Sequence, residues 1–342
     1  MATNSLASVM TMVEAAKSMG ADGNQLAVVD TIALATPFLE EGHWEEANDY
    51  NSHHFLQVMT EAVGTDSVIN VGVSWEVNTT RPVTELIQGL ESATKIDTRI
   101  LRMMRDPETY RRTQEELTLR GLKKAFHDRI LYGNFTLTGG NSTAKVSADQ
   151  VVGLMPRFNA ISSITYNQIQ GTTYWPANVV SAGGSASNAQ TSMYIVKWGP
   201  DGVFFTYPRG GRNFITVDDL DLQLVYDGSS NPYKAEVTMF EINWGLCVAD
   251  WRCVQRLCNI DATHKWTSSL MIQLLAGLPD EDMSGVVIYV PRTVWIMMSQ
   301  EANSNANSFH FDDAPWGRKT IYFQDIPIRL CDRIQTVEPQ VT

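Results

Sequence analysis

Six histidines, four cysteines and three acidic clusters are the residues here that could do chemistry. His43, His53, His54, His127, His264 and His310 would act as bases or metal ligands if their spacing brought two to one helix face. No H-E-x-x-H and no other i, i+4 histidine pair occurs. Cys247, Cys253, Cys258 and Cys331 contain no C-x-x-C, and gaps of five and four residues in LCVADWRCVQRLC match no zinc spacing. Thiols in such apolar runs are expected to be buried as small hydrophobes. Asp218/Asp219/Asp221, Asp280/Glu281/Asp282 and Asp312/Asp313 could hold a metal or pair for hydrolysis. Each sits beside turn residues, where solvated loop acids are the plainer expectation. Gly183-Gly184 and Gly210-Gly211 are turn chemistry, since no P-loop, G-x-G-x-x-G or G-x-S-x-G pattern surrounds them. The expectation is therefore no catalytic residue, no cofactor and no metal. An acid-cluster hydrolase or binding protein on an α+β scaffold stays open as the alternative.

The elements that would carry these residues can be read coarsely. Residues 5–18 could form a short helix, and Val28 to Glu46 reads as helical in places, broken at Pro37 and Gly42. His53–Met59 and Glu91–Ile100 read as strands around a polar, β-branched excursion, which together suggest a projecting hairpin. The best helix runs from Asp106, a fitting N-cap, to Tyr132, with Pro107 in the first turn and Gly133 as terminator. Leu119, Leu122, Phe126 and Ile130 give it one apolar stripe, so it should lie on a sheet. Beyond Gly133 the chain turns to strands. MYIVKWG and VFFTYP flank a Pro200-Asp201-Gly202 turn, and DLQLVY and YKAEVTMFEINWGLCV flank Asp227–Pro232, a strong hairpin signal. Met271, Leu274, Leu275 and Leu278 predict an amphipathic helix over 267–278. A strand at Val286–Val290, a helix carrying Val294, Met297 and Met298, and a final strand pair, KTIYFQ and IPIRLCDRI, follow. This is an α+β chain with antiparallel sheets.

Charge narrows the function classes. The 342 residues carry 26 bases and 38 acids, a net of −12. That balance argues against a protein that grips nucleic acid by neutralising phosphates. No stretch approaches the ~18 apolar residues of a membrane span, and the N-terminus lacks a secretory signal pattern. The charge is uneven: residues 1–50 carry eight acids against Lys17, whereas residues 101–134 carry eight bases against five acids.

An ordered set of motifs then supplies a resemblance. Gly153-Leu154 with Arg157-Phe158-Asn159, Trp198-Gly199-Pro200, Tyr207-Pro208, Gly245-Leu246, Asp250-Trp251-Arg252 and Asn259-Ile260-Asp261 resemble the major capsid proteins of epsilon-fifteen-like tailed phages. Tyr132-Gly133-Asn134 and Ile326–Arg329 fit too. The resemblance covers residues 98–335, most tightly 130–262. It implies a Hong Kong 97-type capsid fold in α+β form, with an N-terminal arm, an extended loop, a peripheral domain on a spine helix and long antiparallel sheet, and an axial domain. On this chain the arm would be 1–50, the extended loop hairpin 51–100 and the spine helix of the peripheral domain 101–133. The axial domain would take a first segment, 134–217, and a second segment, 262–342, which includes the C-terminal strands. Between these two segments, 218–261 would form the peripheral sheet hairpin. The strand–helix unit at 286–301 falls after the hairpin, a departure from the founding member's order.

The function so implied is a major capsid protein assembling as hexamers and pentamers into an icosahedral shell around double-stranded phage DNA. A non-viral encapsulating shell of the same fold is a further alternative. Expected partners are other copies of the chain, a separate scaffolding protein, a portal, a cementing or decoration protein, and DNA touched only weakly at the inner face. No membrane is expected. The location is the virion, after assembly in the bacterial cytoplasm. The chain runs from Met1 to Thr342, which suggests no cleaved scaffolding segment. No lysine lies between Lys17 and Lys95, so the extended loop lacks the nucleophile that cross-links the founding member. Inter-subunit contacts are expected from Arg81, the lone base of that stretch, and from arm acids Glu40, Glu41, Glu45 and Glu46 docking on helix arginines such as Arg111 and Arg112. Leu26, Val29, Phe38, Phe55, Val71 and Trp75 should find no core in their own subunit and bury on neighbours.

Overall fold

The computed structural model describes residues 37–60, 66, 68–72, 75, 77–133, 150–161, 177–185, 189–210, 215–279, 283–304, 309–313 and 319–342. The readings on residues 1–36, including Leu26 and Val29, on Asn134 and on the 280–282 acids lie outside them. The chain divides into two compact units. Described residues of Gly89–Phe126 and Gly211–Asn243 form the first, and those of Leu34–Gln88, His127–Gly210 and Trp244–Thr342 form the second.

The first unit is a hairpin with helices. Strands β7 (Ile215–Tyr226) and β8 (Pro232–Val248) pair antiparallel from Ile215↔Ile242 to Tyr226↔Pro232. Their turn is tied by Asp227, whose Oδ1 accepts from the Ser229 and Asn231 amides, both at 2.8 Å; these bonds hold its pKa below the usual carboxylate range. Strand β3 (Thr79–Asp97) enters this unit and stops at Asp97. The strand expected to reach Ile100 ends there because Asp97 Oδ1 caps helix α2 (Thr98–Met103), accepting from Arg99 N at 2.8 Å. Helix α3 (Pro107–Tyr132) starts as its sequence predicts: Asp106 accepts from Thr109 N at 3.2 Å and Thr109 Oγ1 at 2.6 Å. It ends at Gly133, where an added Cβ would run into Arg129 O. The core cluster here is small: Ile96, Ile100, Leu101, Met104 and Tyr110.

The second unit is built on a seven-stranded sheet. Its strands are β4 (Val179–Ser181), β5 (Thr191–Lys197), β9 (Val254–Ile260), β10 (Val286–Val290), β11 (Phe309–Asp313), β12 (Lys319–Phe323) and β13 (Ile326–Leu330). They lie in the order β11-β12-β13-β10-β5-β9-β4. The sheet is mixed rather than antiparallel. β10 runs parallel to β13 and β4 parallel to β9. A parallel pair needs a crossover; between β10 and β13 it is supplied by a helix (Arg292–Ser304) and the β11–β12 hairpin. β9, grouped from sequence with the 218–261 hairpin, is instead a central strand here and buried throughout. The sheet packs Met271, Leu274 and Leu275 of a helix over Ser268–Leu275, and Val294 and Met298 of the Arg292–Ser304 helix, into one core.

Strands β1 (Trp44–Glu46), β2 (Ser52–Thr60) and β6 (Val203–Tyr207) belong to a six-stranded sheet. Its order is β1-β6-β8-β3-β2, with β7 on β8; β3 and β8 run through both units. In the second unit β1 lies parallel to β6. Of the segment read as helical in places up to Glu46, the described residues form helix α1 (Phe38–Glu41), between Pro37 and Gly42, and then strand β1. Phe38, expected to be unburied, is 0 % exposed: its ring meets Tyr289 at 4.3 Å, His127 at 5.5 Å and Trp198 at 6.3 Å. The second unit thus supplies an aromatic socket that the local sequence of the arm cannot reveal.

Candidate functional site

The side chains turned outward concentrate on a long hairpin. Strand β2 pairs antiparallel with the start of β3, from Ser52↔Leu86 outward, with an irregularity between Val58 and Thr60. The root of this hairpin is fastened. Arg157 donates through Nη1 to Glu85 Oε1 at 2.6 Å and through Nη2 to Glu85 Oε2 at 2.8 Å, and also to Leu246 O at 3.2 Å. Gln88 Oε1 accepts from Val151 N at 3.1 Å. His53, register partner of Glu85, stands edge-on to Phe204 at 5.5 Å. Burial, opposed by Glu45, pushes its pKa below the usual 6.5.

Away from the root the hairpin is bare. Trp75 is 99 % exposed and Ile69 89 %, and Val71, Val77 and Leu56 are exposed as well. Phe55 is half-buried. Water exposure of several large apolar side chains in one hairpin marks an interaction surface. Arg81 sits on this hairpin, exposed, with Nη2 donating to its cross-strand neighbour Gln57 at 2.9 Å.

The other expected contact residues fall in different settings. Glu41 is paired with Arg329 and accepts from Tyr289 Oη at 3.0 Å. Glu45 meets His43 Nε2 at 3.1 Å, and Glu46 accepts from Gly210 N at 2.8 Å. Glu40 and Arg112 are exposed. Arg111, expected to receive arm acids, is instead filled within its own unit: it meets Glu115 at 3.0 Å, Glu236 at 3.3 Å, Thr238 at 3.0 Å, and Asp219. A guanidinium pointed from a helix at two paired strands takes the acids already on those strands.

Sequence reasoning missed the buried charge centre of the second unit. Arg256 and Glu338 are 0 % and 1 % exposed, with Nη2 donating to Oε2 at 3.0 Å. Ser192 bridges them, Tyr132 Oη donates to Glu338 Oε1 at 2.7 Å, and Arg256 Nη1 donates to Phe158 O at 2.6 Å. Burial opposes the Arg256 charge, but Tyr194 and Glu338 outweigh it and hold the pKa above that of an ordinary arginine. Lone residues 82 positions apart carry no spacing signal. Buried and hydrogen-bonded to Ser192, Phe158 and Glu338, this centre braces the sheet.

The cysteines are shielded from water. All four thiols are buried, and burial raises Cys247 and Cys331 to about 12 and Cys258 to about 11, far from a thiolate nucleophile. Among the described residues no group of three His, Cys, Asp or Glu side chains could hold a metal ion. What the molecule offers is surface.

A search of the curated proteins finds no match. The structure of bacteriophage Epsilon15 superposes with a TM-score of 0.67 at 22% identity, covering 97% of each chain. The bacteriophage JBD30 capsid matches 96% of this chain and 100% of its own at 8% identity and TM-score 0.49. The SrpI encapsulin of Synechococcus elongatus PCC 7942 matches 76% of this chain and 99% of its own at 15% identity and TM-score 0.41. The Epsilon15 superposition gives the fold as the α+β, Hong Kong 97-type capsid fold. The family model for the major capsid protein GP7 spans residues 20–342, and this chain, a structural protein of a phage capsid shell, belongs to that family.

Proposed function

We propose that the subunit assembles as hexamers and pentamers into an icosahedral shell that encloses packaged double-stranded DNA, held together without covalent cross-links. The observation that carries this is the β2–β3 hairpin: firmly fastened at Glu85 and Gln88, and apolar and bare at Ile69 and Trp75. A side chain such as Trp75 gains burial only on a neighbouring molecule. Arg81, Glu40 and Arg112, all exposed, are further inter-subunit contacts. In this reading 1–50 is the arm, 51–100 the extended loop and 101–133 the spine helix. A scaffolding protein guides assembly in the bacterial cytoplasm, a portal admits the DNA, and a cementing protein takes the place of cross-links. The net charge of −12 favours weak contact with DNA at the inner face.

Negative-stain imaging of the chain produced in bacteria tests the shell. Closed particles of uniform diameter are expected, dissociating to one band near 38.1 kDa on a boiled denaturing gel. A monomer that never forms particles, at any concentration or with its scaffold supplied, overturns the shell; a ladder of multimers overturns the absence of cross-links.

A further inference from the structure

The first unit carries a second unfilled surface, distinct from the extended loop. β7 is twelve residues long, about 40 Å at the usual strand rise, and it pairs only with β8. Its other edge is open among the described residues. Leu222, Leu224 and Tyr226 share one face, as their cross-strand partners Glu236, Lys234 and Pro232 require. They are 51 %, 57 % and 60 % exposed, and Val217 of the same face is 53 % exposed. Exposed acids lie along the same edge strand: Asp218 on its other face, opposite Met239, Asp221 in the irregular stretch and Asp227 at the turn. An irregularity lies between Asp219 and Leu222, with Asp221 at φ 52°.

Charge decides what can cover this strand. Two β7 edges brought together across a two-fold axis would join the apolar files but set acid against acid, and the bulge would spoil their ladder. Charge and bulge are the devices by which proteins refuse edge-to-edge pairing. The occupant must bring cations. The same unit carries them elsewhere: Arg102 on α2, Arg105 after it and Arg112 on α3 are all exposed, alongside Met103, also exposed. Arg111, which already holds Asp219, gives the pattern of such a pairing inside one chain.

We propose that the β7 edge of one subunit seats on the exposed Arg102, Arg105 and Arg112 side chains of a second copy. The contact is heterologous, with different patches on the two partners, so it closes only into a ring. This inference rests on the shell reading above and names one of its interfaces.

Charge reversal tests it in the full chain. Asp218→Lys with Asp221→Lys, and separately Arg102→Glu with Arg105→Glu, should each lower particle yield by about tenfold or more at physiological salt, because like charges then face each other. All four reversals in one chain should restore particles, since the reversed patches again complement. Single-patch variants that assemble at wild-type yield overturn the proposal, as does a folded fourfold variant no better than either pair. Far-UV circular dichroism and a thermal melt establish folding. Should a reversal unfold the chain, Asp218→Asn with Asp221→Asn replaces it: a lower yield that high salt does not reduce further supports the contact, and an unchanged yield and salt response overturn it. Absence of particles from the wild-type chain would instead strike the shell reading itself.

Discussion

The seven-stranded sheet and the β7–β8 hairpin use the same chemical groups to opposite ends. In the sheet every residue of β10 is buried, and a guanidinium and a carboxylate lie sealed from water. On β7 the apolar side chains stand in water, and Arg111 reaches acids that remain 25 % to 50 % exposed. The first region buries its groups within its own core. Among the described residues, the second has a core cluster of five residues and a file of exposed apolar side chains. A subunit meant for a shell can thus separate the region that must fold alone from the region completed by neighbours.

That contrast can be broken by experiment. The largest effect is expected at the buried centre: Glu338→Ala should destabilise the free subunit by about 3–5 kcal/mol, since it strands the Arg256 charge. Denaturant titration measures it, and a loss under about 1 kcal/mol would mean the pair behaves like a surface bridge. A smaller effect is expected at the root of the β2–β3 hairpin. The pKa of His53 is below 6.5 in the fold because burial disfavours its charged form. The unfolded chain therefore binds more protons between the folded pKa and 6.5, so the His53 contribution is present above 6.5 and is lost as pH falls. Melting temperatures taken from about pH 7 to 5 should decline less for His53→Gln than for the wild type; parallel curves would remove His53 from the account. The smallest effect on the free subunit is expected on β7. Leu222→Ser with Leu224→Ser should move its stability by no more than about 0.5 kcal/mol per site while lowering particle yield. Loss of more than about 2 kcal/mol would class these leucines with the core.

How much of this was legible in the sequence depended on the range of the interaction. Asp227–Pro232 announces its hairpin, and Asp106, Pro107 and Gly133 bound α3, because turns and caps are decided by adjacent residues. The parallel pairs β1–β6, β4–β9 and β10–β13 join segments far apart in the chain, and no periodicity encodes them. Phe38 reads as an apolar residue of an acidic arm, yet its socket is made by Tyr289, His127 and Trp198. The exposed hairpin was legible as polar, β-branched and lysine-free. The acids of the arm were legible as a block, but their partners Arg329, Tyr289 and His43 were not.

The buried centre also imposes an order of events on synthesis. Arg256 is translated 82 residues ahead of Glu338. Until that carboxylate emerges, the strand holding the guanidinium has no counter-ion and cannot be sealed without stranding a charge. β9 lies between β5 and the edge strand β4, so closure of that flank of the sheet waits on Glu338. A chain that stops short of Glu338 leaves the Arg256 guanidinium without its carboxylate, and burying it then costs the full penalty of an unpaired charge.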